Sequence, residues 1–245
     1  MSTREWDAAS YDRMSDPQVA MAREVIDRLD LRGDERVLDA GCGTGRVTEL
    51  LLERVPNGSV VAVDGSAAMV EQAKARLGER AETLVSDLLD LTLPQPVDAI
   101  LSTATFHWIA DHDRLFARLH AALKPGGKLV AQCGGYGNIA TVQAAIDDLD
   151  HPALRGWDGP WNFATTRDTA QRLENAGFTA VWTWLQPWLV RPEDPREYFT
   201  TTVLGAHLDR LDPAERAPFV DAVLERLNQP IAVDYVRLNL LARRS

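Results

Sequence analysis

Val37-Leu38-Asp39-Ala40-Gly41-Cys42-Gly43-Thr44-Gly45 is the stretch that decides how this chain is read. A short apolar run carries an aspartate near its end, three glycines alternate, and a helical pattern starts at Arg46. That is the order of a strand, a tight turn and a helix N-terminus. Alternating glycines let the backbone approach a neighbour closely and take angles that a Cβ forbids. A dinucleotide turn, G-x-G-x-x-G, wants a glycine at its sixth position. Counted from Gly41 that position is Arg46, so a nicotinamide oxidoreductase is disfavoured.

Outward from this turn the same rhythm repeats. Residues 46–54 read as a helix, and 59–64 as a buried strand finishing in Asp64. Ser66 caps a helix through Leu77 that Gly78 closes. Strands follow at 82–86, just before Asp87, and at 97–102, then the segment Thr103-Ala104-Thr105-Phe106-His107-Trp108. A helix near 112–123 leads through Lys124-Pro125-Gly126-Gly127 into a strand at 128–133. Apolar strands alternating with helices predict an α/β fold, a mostly parallel sheet with helices on both faces.

Upstream, Asp16 and Pro17 open a helix whose Val19, Ala22, Val25, Ile26 and Leu29 share one face. The polar arm before it carries Trp6 and Tyr11. Downstream the rhythm loosens. Helices are expected at 138–149, from Thr165 or Thr166 to Gly177, and at 195–209 and 213–228. Strands are expected at 178–186 and 231–242. Residues 136–164 and 188–230 read as covers over the sheet, and the whole of 1–245 as a single domain with a single core.

The 245 residues carry 36 acidic and 26 basic side chains, a net charge of −10. That balance argues against a nucleic-acid partner, which needs a basic face. Two cysteines make no disulfide framework, no run reaches the roughly 18 apolar residues of a membrane span, and no metal-ligand spacing appears. A soluble cytoplasmic protein, a monomer or weak dimer, is expected.

Asp39, Asp64 and Asp87 stand at or just past three strand ends, where ligands bind in such sheets. Asp64 lies 19 residues beyond Gly45, placed to accept from both hydroxyls of a ribose. Asp87 could accept from an adenine amino group while Leu88 packs the ring.

With Asp39, Gly41, Gly43 and Gly45 forming acidic-x-Gly-x-Gly-x-Gly, the chain resembles the class I S-adenosylmethionine (SAM)-dependent methyltransferases over residues 35–133. The resemblance implies a Rossmann-like seven-stranded sheet, SAM as cofactor and S-adenosylhomocysteine as product. It implies that Asp39 and the turn Gly41, Cys42 and Gly43 hold the methionine part, with Asp64 and Gly65 at the ribose. Asp87, Leu88 and Met69 fall at the adenine, and Thr103 closes the cofactor side. Gly65 departs from the larger apolar residue common after the ribose acid.

With Phe106-His107-Trp108-Ile109 in place of an amino-group motif, the chain is similar to the trans-aconitate and juvenile hormone acid methyltransferase group, which modifies carboxylates of small molecules. That similarity implies an acceptor gripped by Gln18 and Trp108, assisted by His107, with Tyr11 and residues 1–30 as a lid. A carboxylate is already ionised at pH 7 and needs orientation, not a base. The alternatives are methylation of a phenol, amine or carbon, where His107 would be the base, and a SAM-binding protein without catalysis. The remaining tryptophans, Trp157 and Trp161 among them, are expected in the core.

Overall fold

The computed structural model describes residues 16–245, with side chains from Ala22 onward. Helix α1 (Asp16–Asp27) precedes β1 (Arg36–Ala40), α2 (Arg46–Arg54), β2 (Ser59–Asp64), α3 (Ala67–Leu77) and β3 (Glu82–Val85). Then come β4 (Val97–Thr103), α4 (His112–Ala122), β5 (Leu123–Gly134), α5 (Ala140–Leu149), α6 (Thr166–Asn175) and β6 (Phe178–Val190). The chain ends with α7 (Pro195–Tyr198), a π-turn over Phe199–Val203, α8 (Gly205–Leu208), α9 (Pro213–Glu225) and β7 (Val233–Arg244).

The seven strands form one sheet in the order β3-β2-β1-β4-β5-β7-β6. β7 runs antiparallel to both neighbours, and the pairings among β1 to β5 are parallel. The order reverses beside β1, which lies between β2 and β4, so a crevice opens at the carboxyl ends there.

Strand alternation distributes the core. Leu38, Ala40, Val61, Val63, Ile100, Leu129 and Ala131 face one layer, with Phe106 and Phe116. Val37, Val60, Ala99, Leu101 and Val130 face the other, against Val25 and Ile26 of α1, Leu29 just after it and Leu51 of α2. Each of the Val, Leu, Ile and Phe side chains contributes about 1.5–3 kcal/mol when fully buried, so the strand ends are held on a rigid platform. Caps fix the helix starts: Ser66 Oγ accepts from Met69 N, Asp111 Oδ1 from Arg114 N, and Thr165 Oγ1 from Asp168 N.

The expected single core is corrected. The covering segments carry their own buried cluster, with Val142 and Ile146 of α5, Phe199 and Val203 of the π-turn, and Phe219 and Val223 of α9. Val190 and Val233, at the outer ends of β6 and β7, belong to it too. The antiparallel β6–β7 pair therefore outruns the sheet and carries the cover, and β6 reaches Val190 where the periodicity ended it at 186.

Candidate active site

The cofactor half of the site grows from β1. Asp39 is buried in the strand, and its Oδ2 accepts from Thr48 Oγ1 at 2.7 Å. Its other oxygen, Oδ1, has no hydrogen-bond partner among the described residues. Burial pushes the Asp39 carboxyl up to about 6, against the Thr48 hydrogen bond, and the nearby Asp64 charge adds to the rise. A buried acceptor left open beside a glycine turn suits a ligand that brings a cation or a strong donor.

The turn is held by its neighbours. Gly41 and Cys42 donate their N–H groups to Val63 O, and Gly43 donates to Asp64 Oδ2 at 2.9 Å. Asp64 Oδ1 accepts from Ser66 N at 2.9 Å. Asp64 therefore braces the turn with both oxygens, each of which keeps a further lone pair for a hydroxyl. Burial raises its carboxyl against these backbone bonds, and raises the Cys42 thiol as well.

Gly41 has φ +86°, and a Cβ there would sit 2.1 Å from Thr105 Oγ1. A Cβ on Gly43 (φ +54°) would meet nothing within 4 Å, which leaves that side of the turn open to a ligand. Gly65 is partly exposed beside it. Asp87 Oδ1 accepts from Leu89 N, and Leu88 is committed to the main core. Met69 is buried at the start of α3.

The acceptor half lies at the ends of β4, β5 and β7. Thr103 closes β4, and Ala104 takes φ +54° before Thr105 turns back to donate to Thr103 O. That turn delivers His107 and Trp108 to a cavity shared with Asn138, Ile139, Trp161, Phe163, Thr202, Val203, Tyr235 and Arg237. Rings line it in contact: Trp108 with Trp161 at 5.9 Å, Trp161 stacked on Phe163 at 5.4 Å, and His107 on Phe163 at 6.0 Å. Gly134 makes the room, since a Cβ there would lie 2.7 Å from Phe163.

His107 Nδ1 accepts from Gly134 N–H at 3.2 Å. The ring proton therefore belongs on Nε2, and the imidazole is a donor. Burial, with Arg237 and His112 adding to it, lowers its pKa to about 3. The Nδ1 lone pair that the expected alternative of His107 as a base would use accepts from the backbone here.

Of the predicted residues, the structure brings Asp39, Gly41, Cys42, Gly43, Asp64 and Gly65 together at one turn. It sets His107 and Trp108 in the neighbouring cavity, joined to that turn through Thr105. Tyr11, Trp6 and the Gln18 side chain lie outside the described residues. Trp161 is corrected from core to cavity wall. Phe163, Tyr235 and Arg237 were missed. The signal for Arg237 was available: Tyr235 to Asn239 alternates polar and apolar in a strand, and polar residues in a sheet covered on both faces need a reason.

Among the described residues no group of three or more His, Cys, Asp or Glu could hold a metal, and no helix is long and apolar enough to cross a membrane.

Residues 37–127 match the methyltransferase-domain family model. A trans-aconitate 2-methyltransferase of Paracidovorax citrulli is 30% identical, over 98% of this chain and 99% of its own. The fold matches the YcgJ protein of Bacillus subtilis with a TM-score of 0.69 at 16% identity, covering 92% of this chain and 98% of that one. It also matches a phosphoethanolamine N-methyltransferase of Haemonchus contortus in complex with SAM. There the TM-score is 0.64 at 17% identity, over 97% of this chain and 56% of that one. The orphaned Asp39 oxygen and the open glycine turn fit that cofactor. The chain belongs to the trans-aconitate 2-methyltransferase family and is a SAM-dependent methyltransferase acting on a small molecule.

Proposed function

We propose that the enzyme esterifies a carboxylate of a small acid. The observation that carries this reading is His107: buried, neutral, and with its Nδ1 lone pair held by Gly134 N–H. A phenol or an ammonium must lose a proton before it can attack, and this cavity offers no imidazole to take it. A carboxylate arrives ionised. One of its oxygens forms the new O–C bond while the C–S bond of SAM breaks and its electron pair returns to sulfur. The products are the ester and neutral S-adenosylhomocysteine, and no proton moves.

On this reading the chain supplies orientation. The orphaned Asp39 oxygen supports a role in holding the SAM amino group. Gly41, Cys42 and Gly43 would let the methionine part lie against the turn, with Thr103 beside it. Asp64 and Gly65 would meet the ribose, and Asp87, Leu88 and Met69 the adenine. His107 Nε2–H and Trp108 would steer the carboxylate, with Gln18 and Tyr11 closing over it. Their neutrality leaves the attacking oxygen its nucleophilicity, which a full positive charge would reduce.

The relatives' printed substrate, trans-aconitate, is the first acid to try. The enzyme would work as one unit of residues 1–245, with 1–30, 136–164 and 188–230 around the acceptor. It would act as a monomer or weak dimer in the cytoplasm, with no metal, nucleic-acid or membrane partner. Transfer of a labelled methyl group from SAM to trans-aconitate, a catechol and a primary amine tests the reading. Label in a base-labile ester is expected. Base-stable label on the catechol or amine alone would overturn it.

A further inference from the structure

We infer that Arg237 reads a second carboxylate of the acceptor, one that is not methylated. This rests on the carboxylate reading above and adds the residue that selects among acids.

Arg237 stands on β7, opposite Gly134 of β5 and Gln186 of β6. It is buried, lines the aromatic cavity, and its Nε has no hydrogen-bond partner among the described residues. Among the described residues no carboxylate pairs with its guanidinium. Its Cζ lies 5.7 Å from the centroid of the Tyr235 ring. The Tyr235 hydroxyl is 2.8 Å from that of Tyr198, which fixes the ring beneath the cation.

An arginine does not lose its charge in a protein, so burial without a counter-ion carries a standing cost. Arg28, for comparison, donates to Asn239 Oδ1 at 2.5 Å and pairs with Glu24. A guanidinium kept open toward a ligand cavity is a fork for a planar anion, and its geometry matches a carboxylate.

The anion it takes is not the one that reacts. A full positive charge on the attacking carboxylate would blunt it. Arg237 pairs across the sheet with Gly134, whose N–H donates to His107 Nδ1, and His107, Trp108 and Arg237 line one cavity. An acid with two or more carboxylates can occupy both places, and the ester product keeps the carboxylate that Arg237 holds.

The test compares trans-aconitate with crotonate, an unsaturated monocarboxylate, in wild type, Arg237→Gln and Arg237→Lys. The ratio of their kcat/KM values is expected to fall by about thirty- to a hundredfold in Arg237→Gln, mostly through KM for trans-aconitate. Arg237→Lys keeps the charge without the fork and should fall by about tenfold. S-adenosylhomocysteine affinity should stay within about twofold in both.

A preserved ratio in either folded variant, including an equal loss with both acids, would overturn the assignment. If Arg237→Gln fails to fold, the lysine variant decides. If wild type methylates neither acid, the carboxylate reading falls. Arg237 is then judged by titrating trans-aconitate into the S-adenosylhomocysteine complex. Binding that Arg237→Gln abolishes would sustain the anion site, and binding it leaves intact would overturn it.

Discussion

The two halves of the site are built in opposite ways. The cofactor half comes from one continuous stretch: β1, its turn and the ends of β2 and β3 supply Asp39 to Asp87, and short-range bonds hold it. The neighbouring aromatic cavity is assembled from five places, at residues 104–108, 138–139, 161–163, 202–203 and 235–237, and packing of rings holds it. Each half keeps one buried charged group with an atom that has no hydrogen-bond partner among the described residues, Asp39 Oδ1 and Arg237 Nε. One is an open acceptor and the other an open donor; on the proposed reading they meet the ammonium group of SAM and a carboxylate of the acid.

The largest effect we predict falls where the halves touch. Gly41→Ala places a Cβ 2.1 Å from Thr105 Oγ1 and 2.3 Å from its Cγ2, at φ +86°. Strain and overpacking should together cost about 2–5 kcal/mol of stability. Gly43→Ala, at φ +54° with open space around it, should cost only about 1–2 kcal/mol through its backbone. Urea denaturation of the two variants measures the difference. Equal midpoints would mean that Thr105 does not clamp the turn, and that the halves are coupled elsewhere.

That contrast explains what the sequence could reveal. The glycine turn and the strand ends around it were legible because their signals are local: glycines two apart, aspartates at strand ends, and Ser66 one helix-cap length before Met69. The sheet followed from the same alternation. The cavity was not legible, because Phe163, Thr202 and Arg237 are distant in sequence and meet only when the antiparallel β6–β7 pair overruns the sheet to carry the cover. His107 was found, but its role depended on one backbone N–H, from Gly134, that no side-chain pattern announces. Trp161 looked like core because an aromatic residue in a loop reads the same whether it fills a core or walls a pocket.

A smaller effect should separate the halves functionally. Trp108→Phe keeps most of the ring packing against Trp161 but removes the indole N–H. We expect kcat/KM for the acid to drop by about ten- to a hundredfold, equivalent to about 1.4–2.7 kcal/mol. SAM affinity by calorimetry should move by less than about twofold. A variant that loses SAM binding in step with turnover would place Trp108 in the cofactor half instead.

The smallest effect is an absence, and it tests both halves with one variable. The Asp39 carboxyl is raised to about 6 from an ordinary 3.8, so the folded protein binds that proton more tightly than the unfolded chain does. Its contribution to stability is therefore present at low pH and is lost as pH rises through about 6. His107 is the reverse, lowered from 6.5 to about 3: the unfolded chain takes the proton first, and stability is lost as pH falls below 6.5. In function the two part company. Holding an ammonium group requires Asp39 ionised, so SAM affinity should fall about tenfold between pH 7 and pH 5. At saturating SAM and acid, kcat should vary by less than about twofold from pH 6 to pH 8, because neither the acid nor His107 titrates there. Stopped assays of labelled ester across this range, beside calorimetry at the same pH values, would measure both. A kcat that climbs through a pKa near 6.5, and loses that climb in His107→Gln, would make His107 a base after all and return the substrate to the phenols and amines.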